Sequence, residues 1–253
     1  MKHVHSPLVI GAAPIILLLT LWAWLAASGI APRALLPSPL DVAGRTLQSL
    51  SDPEFLSNVG VTLIRLVSGF AIGLAAGTVL AVLSVSSRSI QFVLDAYVRV
   101  LAPVPKIALY PVMILVLGFG HSSKIALVAI EAAFPVYLAT LQGMRNVDQK
   151  LIWAARAAGA RPAHCLLFVM IPAAAPSILT GARVAMVISC IVVFLSEMMS
   201  STEGLGYLLI DAARNFRTVD MFVPIILISV LGLSLGAGFS FLRSRLLAGY
   251  PQA

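Results

Sequence analysis

Residues 145–180 read RNVDQKLIWAARAAGARPAHCLLFVMIPAAAPSILT, and the interpretation of the whole chain turns on this stretch. Arg145, Lys150, Arg156 and Arg161 fall here between two apolar runs of membrane length, punctuated by Gly159 and by prolines at 162, 172 and 176. Asp148 is placed to cap a helix over Gln149 to Ala158, accepting free N–H groups of its first turn. Gly159 suits a left-handed helix end. Pro162 suits the first turn of a second helix, Ala163 to Ile171, which Pro172 and Pro176 are expected to break before the next apolar run. Leu151, Ala155 and Ala158 form an apolar face of mostly small side chains, able to sit deep in a groove of another protein. A connection of roughly thirty residues is far longer than a turn between two helices needs. The stretch therefore reads as a docking surface, over 145–176, for a partner that drives the rest of the protein.

The rest of the chain is membrane. It has 253 residues, 60% hydrophobic and 11% charged, where a soluble domain carries about 25% charged residues. Mean hydropathy is +1.00. Runs of about 20 apolar residues are membrane helices, and six are expected: Leu8 to Ser28, Val59 to Val85, the run opening LAPVPKIALYPVMILVLGFG, Ser123 to Leu141, Ser177 to Met199, and Met221 to Leu242. The first run is longer than that of a cleaved signal peptide and reads as an uncleaved span. Residues 1–58 hold this span and an extracytoplasmic segment with a short interfacial helix begun by Pro39 and Asp41; residues 59–245 form the core, in one domain overall. The net charge of +7 is not gathered into a patch interleaved with aromatics, so nucleic acid is not an expected partner. Membrane lipid is.

Lysine and arginine placement orients the chain. With the N-terminus inside, the inner loops hold Lys2, Arg88, Arg99, Arg145, Lys150, Arg156, Arg161, Arg243 and Arg245, against Arg33, Arg45, Lys124, Arg214 and Arg217 outside. Nine against five favours cytoplasmic termini and puts 145–176 in the cytoplasm.

Several features inside the spans ask for a role. Gly69, Gly73 and Gly77 share one helix face and allow a neighbouring backbone to approach closely. Pro103, Pro105 and Pro111 cannot share one unbroken helix, and broken backbone is tolerated in lipid only under cover of protein or a cavity, so this segment is expected to face the bundle interior. Intramembrane ionisable groups mark pathways or paired structural sites. Glu131, Arg183 and Glu197 are of this kind. Arg183 and Glu197 are read first as pairing within the chain or capping freed backbone, with solute contact as the alternative for Arg183. Arg65 is expected to snorkel towards the membrane surface, again with solute contact as the alternative. Met186, Phe194 and Met198 read as packing. Cys165 and Cys190 are not expected to form a disulfide, and His3, His5, His121 and His164 form no metal-ligand cluster. No G-x-S-x-G or H-E-x-x-H occurs, which argues against an intramembrane hydrolase. No G-x-x-x-x-G-K-[ST] occurs either, so ATP would have to be hydrolysed by another chain.

At Ala154, Ala155, Gly159, Ile171 and Pro172 the sequence resembles the E-A-A-x-x-x-G motif, with its later aliphatic-Pro pair, of the membrane permeases of bacterial ABC importers. Trp153 stands where the motif has Glu. The LLPSP segment near Leu36, the run Arg99-x-x-x-Pro103-x-Pro105-x-x-Ala108-x-x-Pro111, the Phe119-Gly120 turn, Gly143-x-x-Asn146, Leu195-Ser196-Glu197 and Gly204-x-Gly206-Tyr207 resemble the nitrate, sulfonate, taurine and bicarbonate-type permeases. The resemblance covers most of the chain. It implies an all-α, six-span type I importer transmembrane domain with a cytoplasmic coupling helix, in a bacterial inner membrane. The chain would be non-catalytic and without cofactor or metal, ATP and Mg being bound by the partner. The implied partners are two ATP-binding cassette ATPase subunits, an extracytoplasmic substrate-binding protein that releases solute near Gly204 to Asn215, and a second permease copy, as a homodimer. The coupling residues would be Trp153, Ala154, Ala155, Arg156, Ala158, Gly159 and Ala160; the path of a small organic or inorganic anion would include Arg65, Pro103, Pro105, Arg183 and Glu197. A secondary transporter driven by an ion gradient is the rival reading; it predicts transport by this chain alone and a midplane carboxylate pair, and no inverted repeat is evident.

Overall fold

In the computed structural model, described for residues 7–30, 32, 35–101 and 103–247, with side chains from residue 13 onward, the chain is all helical; no strand occurs among the described residues. His3 and His5 lie outside them. The elements are α1 (Pro7–Ala27), α2 (Pro39–Ser49), α3 (Pro53–Ser86), α4 (Arg88–Leu101), a 3₁₀ turn (Lys106–Leu109), α5 (Tyr110–Leu117), α6 (His121–Arg145), α7 (Gln149–Ala157), α8 (Pro162–Cys165), a π turn (Leu166–Met170), α9 (Ile171–Ser200), α10 (Leu205–Arg214) and α11 (Thr218–Leu246).

Four helical segments are long and apolar enough to cross a membrane: α3, α6, the continuous run Pro162–Ser200, and α11. The fifth candidate is broken. α4 and the segment Lys106–Leu117 are bent by 90° and qualify only together. Residues 88–101, outside the expected spans, are thus a helix that meets the expected third span at this bend. The proline reading holds, since Pro111 sits at the start of α5, where its missing N–H costs nothing. Tyr110 is buried and Met113 and Ile114 pack on the core, but Leu115 is 86% exposed.

Two close helix contacts, one parallel and one antiparallel, build the core. Gly69, Gly73 and Gly77 of α3 face Val128, Ala129 and Ala133 of α6 in ascending order, so these helices run parallel. A Cβ on Gly69 would lie 2.6 Å from that of Val128, and one on Gly73 2.6 Å from the carbonyl oxygen of Ala129. Only glycine permits this approach, as the sequence led one to expect. α9 returns antiparallel: Gly143 meets Ser177, and Gly181 meets Ala139 and Pro135. The core joins Leu66, Phe70, Tyr110, Leu127, Val128, Val136, Met186 and Val193. α1 is held by Trp22, whose indole N–H donates to the Pro37 carbonyl at 3.1 Å and whose ring stacks on Phe222 at 5.4 Å.

The linker also needs correction. No helix break occurs at Pro172 or Pro176. Helix runs from Pro162 to Ser200, Pro172 lies at the start of α9 directly after the π turn, and Pro176 is carried inside α9. A π turn changes the hydrogen-bond register and so accommodates residues that cannot donate. The true connection between spans is therefore Asn146 to Arg161. Arg243 and Arg245, counted among the inner-loop charges, lie in the last turn of α11.

Candidate functional site

Two polar regions lie at opposite ends of α6, which at 1.5 Å per residue is about 37 Å long. At the His121 end, α3, α9 and the turn before α10 meet around an ion pair. Arg65 is 1% exposed. It does not snorkel, and Glu197 pairs with it rather than with Arg183. The Arg65 Nη1 donates to Glu197 Oε1 at 2.9 Å, to Ser201 Oγ at 3.2 Å and to the Glu203 carbonyl at 3.0 Å. Nη2 donates to Glu203 Oε1 at 2.6 Å, and Nε to His121 Nδ1 at 3.2 Å. Glu197 Oε2 further accepts from Thr62 Oγ1 at 2.9 Å and from the Gly206 N–H at 3.1 Å. Thr62 Oγ1 accepts the Leu205 N–H at 2.9 Å, and Asn58 Oδ1 accepts the Gly204 N–H at 2.6 Å. The opening N–H groups of α10 are thus capped by side chains from α3 and α9. Gly204, at φ +103°, takes a backbone conformation that other residues adopt only under strain. This explains the LSE and GxGY spacings as one structural unit, in which Arg65 and Glu197 satisfy each other.

Lys124, counted among loop charges by the sequence reading, is fully buried in this end. Its ammonium donates to the carbonyls of Phe119 at 2.7 Å, Gly120 at 3.3 Å and Ser200 at 3.2 Å. Tyr110 and Ser200 hydroxyls bond at 2.8 Å. Nothing in the apolar patterns of 110–117 and 121–145 marks Tyr110 or Lys124; the signal available was that a lysine four residues into a span needs acceptors.

At the Arg145 end, Asp148 caps α7 by accepting the Lys150 N–H at 2.9 Å, and Gly159 ends it at φ +85°. Ile152 is buried towards the chain's own bundle. Leu151 is 51% exposed and Trp153 64%. Ala154, Arg156, Ala158 and Gly159 are exposed, while Ala155 and Ala160 are half-buried. His164 of α8 stacks on Phe168 of the π turn. Pro103 and Pro105 lie at the bend between α4 and α5. Arg183 is exposed on α9 and makes no ion pair among the described residues. Cys165 and Cys190 are free, and no metal-holding group of side chains occurs among the described residues.

Residues 69–247 match the family model described as the binding-protein-dependent transport system inner membrane component. The chain belongs to this family. The putative aliphatic sulfonates transport permease protein SsuC of Bacillus subtilis (strain 168) is 31% identical over 215 residues, 85% of this chain and 78% of that one. SsuC of Escherichia coli (strain K12) is 33% identical over 85% of this chain and 82% of its own. The taurine transport system permease protein TauC of the same strain is 29% identical over 90% and 85%. Among solved structures, an amino acid ABC transporter with histidines aligns at a TM-score of 0.60 and 22% identity, covering 76% of this chain and 92% of its own. The inward-facing MetNI methionine ABC transporter aligns at 0.60 and 18%, covering 82% and 96%. These two establish the fold. The chain is thus an ABC transporter permease, a multi-pass inner-membrane transport subunit and not itself a catalyst.

Proposed function

We propose that this permease forms, with a second copy of itself, the pathway of an ATP-driven importer for a small organic anion of the sulfonate kind, delivered by an extracytoplasmic binding protein. The observation that carries the reading is α7. It is a capped helix whose Leu151 and Trp153 point away from the bundle that positions it. An apolar pair held in water on a rigid helix is favourable when another surface covers it. Two cytoplasmic ATPases supply that surface, each taking one α7 in a groove, with Trp153 filling the place of the motif's acidic residue. Residues 153–156 and 158–160 are the coupling contacts. α1, the four long helices and the broken pair make six spans, with both ends of the chain in the cytoplasm. ATP and Mg belong to the ATPases. The solute class is supported by the sulfonate and taurine permeases among the relatives. The solute path is assigned to the Pro103–Pro105 bend and Arg183, since Arg65 and Glu197 are buried and already paired with each other.

The test is uptake by the complex assembled with an ATPase that binds but does not hydrolyse ATP. Uptake should vanish. Uptake at the normal rate would favour the ion-coupled alternative and overturn this reading.

A further inference from the structure

Three cationic side chains are buried among the described residues: Arg65, Lys106 and Lys124. Two are saturated. Arg65 donates to two carboxylates, a hydroxyl, a carbonyl and an imidazole; Lys124 donates to three carbonyls. Lys106 is different. It is 8% exposed, yet its ammonium donates no hydrogen bond among the described residues. Its counter-charge, Glu131 Oε2, stands at 3.7 Å, beyond the roughly 2.7–2.9 Å of a charge-assisted hydrogen bond. Among the described residues, the other group holding it is the ring of Phe134, whose centroid lies 4.2 Å from Nζ.

Position sharpens the contrast. Lys106 opens the 3₁₀ turn at the bend between α4 and α5. Glu131 lies about 15 Å along α6 from His121 and about 21 Å from Arg145, near the middle of the membrane-crossing length. A cation at that depth is costly and marks a pathway or a paired structural site. The molecule itself shows, in Arg65 and Glu197, what its structural pairs look like. Lys106 and Glu131 lack that closure.

We propose that Lys106, steadied by Phe134 and held loosely by Glu131, is an intramembrane binding station for the sulfonate group of the transported anion. The proposal rests on the importer reading above and names the residue that would meet the solute. The ammonium has three donors and no tight acceptor, so a sulfonate oxygen can approach without dismantling a finished network. Glu131 keeps the station weak, because two anions then compete for one cation. A site that a solute must leave as well as enter needs this weakness.

The test uses proteoliposomes holding the complete complex and measures uptake of radiolabelled taurine and methanesulfonate beside ATP hydrolysis. Replacing Lys106 by methionine should lower uptake of the transported sulfonate about thirty-fold or more, as truncation of a buried charge contact does. Lys106→Arg should retain most of it. The decisive variant is the neutral pair Lys106→Met with Glu131→Gln. A pair that is only structural tolerates neutral replacement, so recovery of uptake in the double variant would overturn the proposal. Normal uptake by Lys106→Met would overturn it as well. Uptake still lost in the double variant, with the complex assembled and hydrolysing ATP, supports it. If the wild-type complex imports neither sulfonate, the substrate class itself fails and this station falls with it. Where sulfonate uptake is normal in both wild type and Lys106→Met, only the station fails.

Discussion

The two ends of α6 treat polar and apolar groups in opposite ways. At the His121 end, Arg65, Glu197 and the opening of α10 are buried and paired so completely that Thr62 serves as donor to Glu197 and acceptor from Leu205. At the Arg145 end, α7 is capped and held by Ile152, yet Trp153 and Leu151 are left in the open. The first region finishes its own chemistry. The second leaves a surface that another chain can finish. Membrane position does not account for the difference, since both regions lie at helix ends. One end of the permease is thus closed by its own residues, and the other is rigid but incomplete.

The comparison breaks first at Arg65. Arg65→Ala leaves Glu197 buried and unpaired, which costs about 3–5 kcal/mol, and detergent-solubilised protein should unfold at a clearly lower temperature. Unchanged stability would mean that the closed end is not what holds α10 to α3 and α9. Second is the α3–α6 seam that carries both ends. Gly73→Val forces a side chain onto the Ala129 carbonyl and should cost about 1–3 kcal/mol, read by the same thermal measurement. Third is Trp153→Ala, for which the two ends predict opposite readouts. Affinity for the ATPase should fall about thirty-fold, the lower range for an aromatic anchor, with the unfolding temperature of the permease alone unmoved. Smallest is Gly159→Leu. Its Cβ would meet open space, so only the left-handed backbone at φ +85° resists, by about 1–2 kcal/mol. The protein should fold, and the ratio of solute imported to ATP hydrolysed should drop. A fully coupled variant would show that the angle between α7 and α8 is irrelevant to docking.

Much of this was legible in the chain. Asp148, Gly159 and Pro162 act locally, through a cap, a left-handed residue and a first-turn proline, and the structure has all three where their chemistry puts them. The glycines of α3 were legible for the same reason, since spacing alone sets a face. What depended on distant partners was not. Arg65 looked like a residue that would reach for the surface, because nothing near it in sequence reveals that Glu197 and Glu203 arrive from the far side of the fold. Lys106 was not legible because the prolines on both sides of it dominate the local pattern and Glu131 and Phe134 come from a distant helix. Pro172 and Pro176 read as breaks because proline removes a donor, but a π turn just upstream lets the helix continue through them. Helix α4 was not legible because it carries Arg88, Asp95 and Arg99 and looks like a loop by composition.

The measurement that bears most directly on the account is amide hydrogen exchange of the permease alone and in complex with its ATPase. The account predicts slowed exchange across residues 149–161 on binding, while residues 58–66 and 197–206 exchange slowly and equally in both states. Exchange at 149–161 that does not change when the ATPase binds would contradict it.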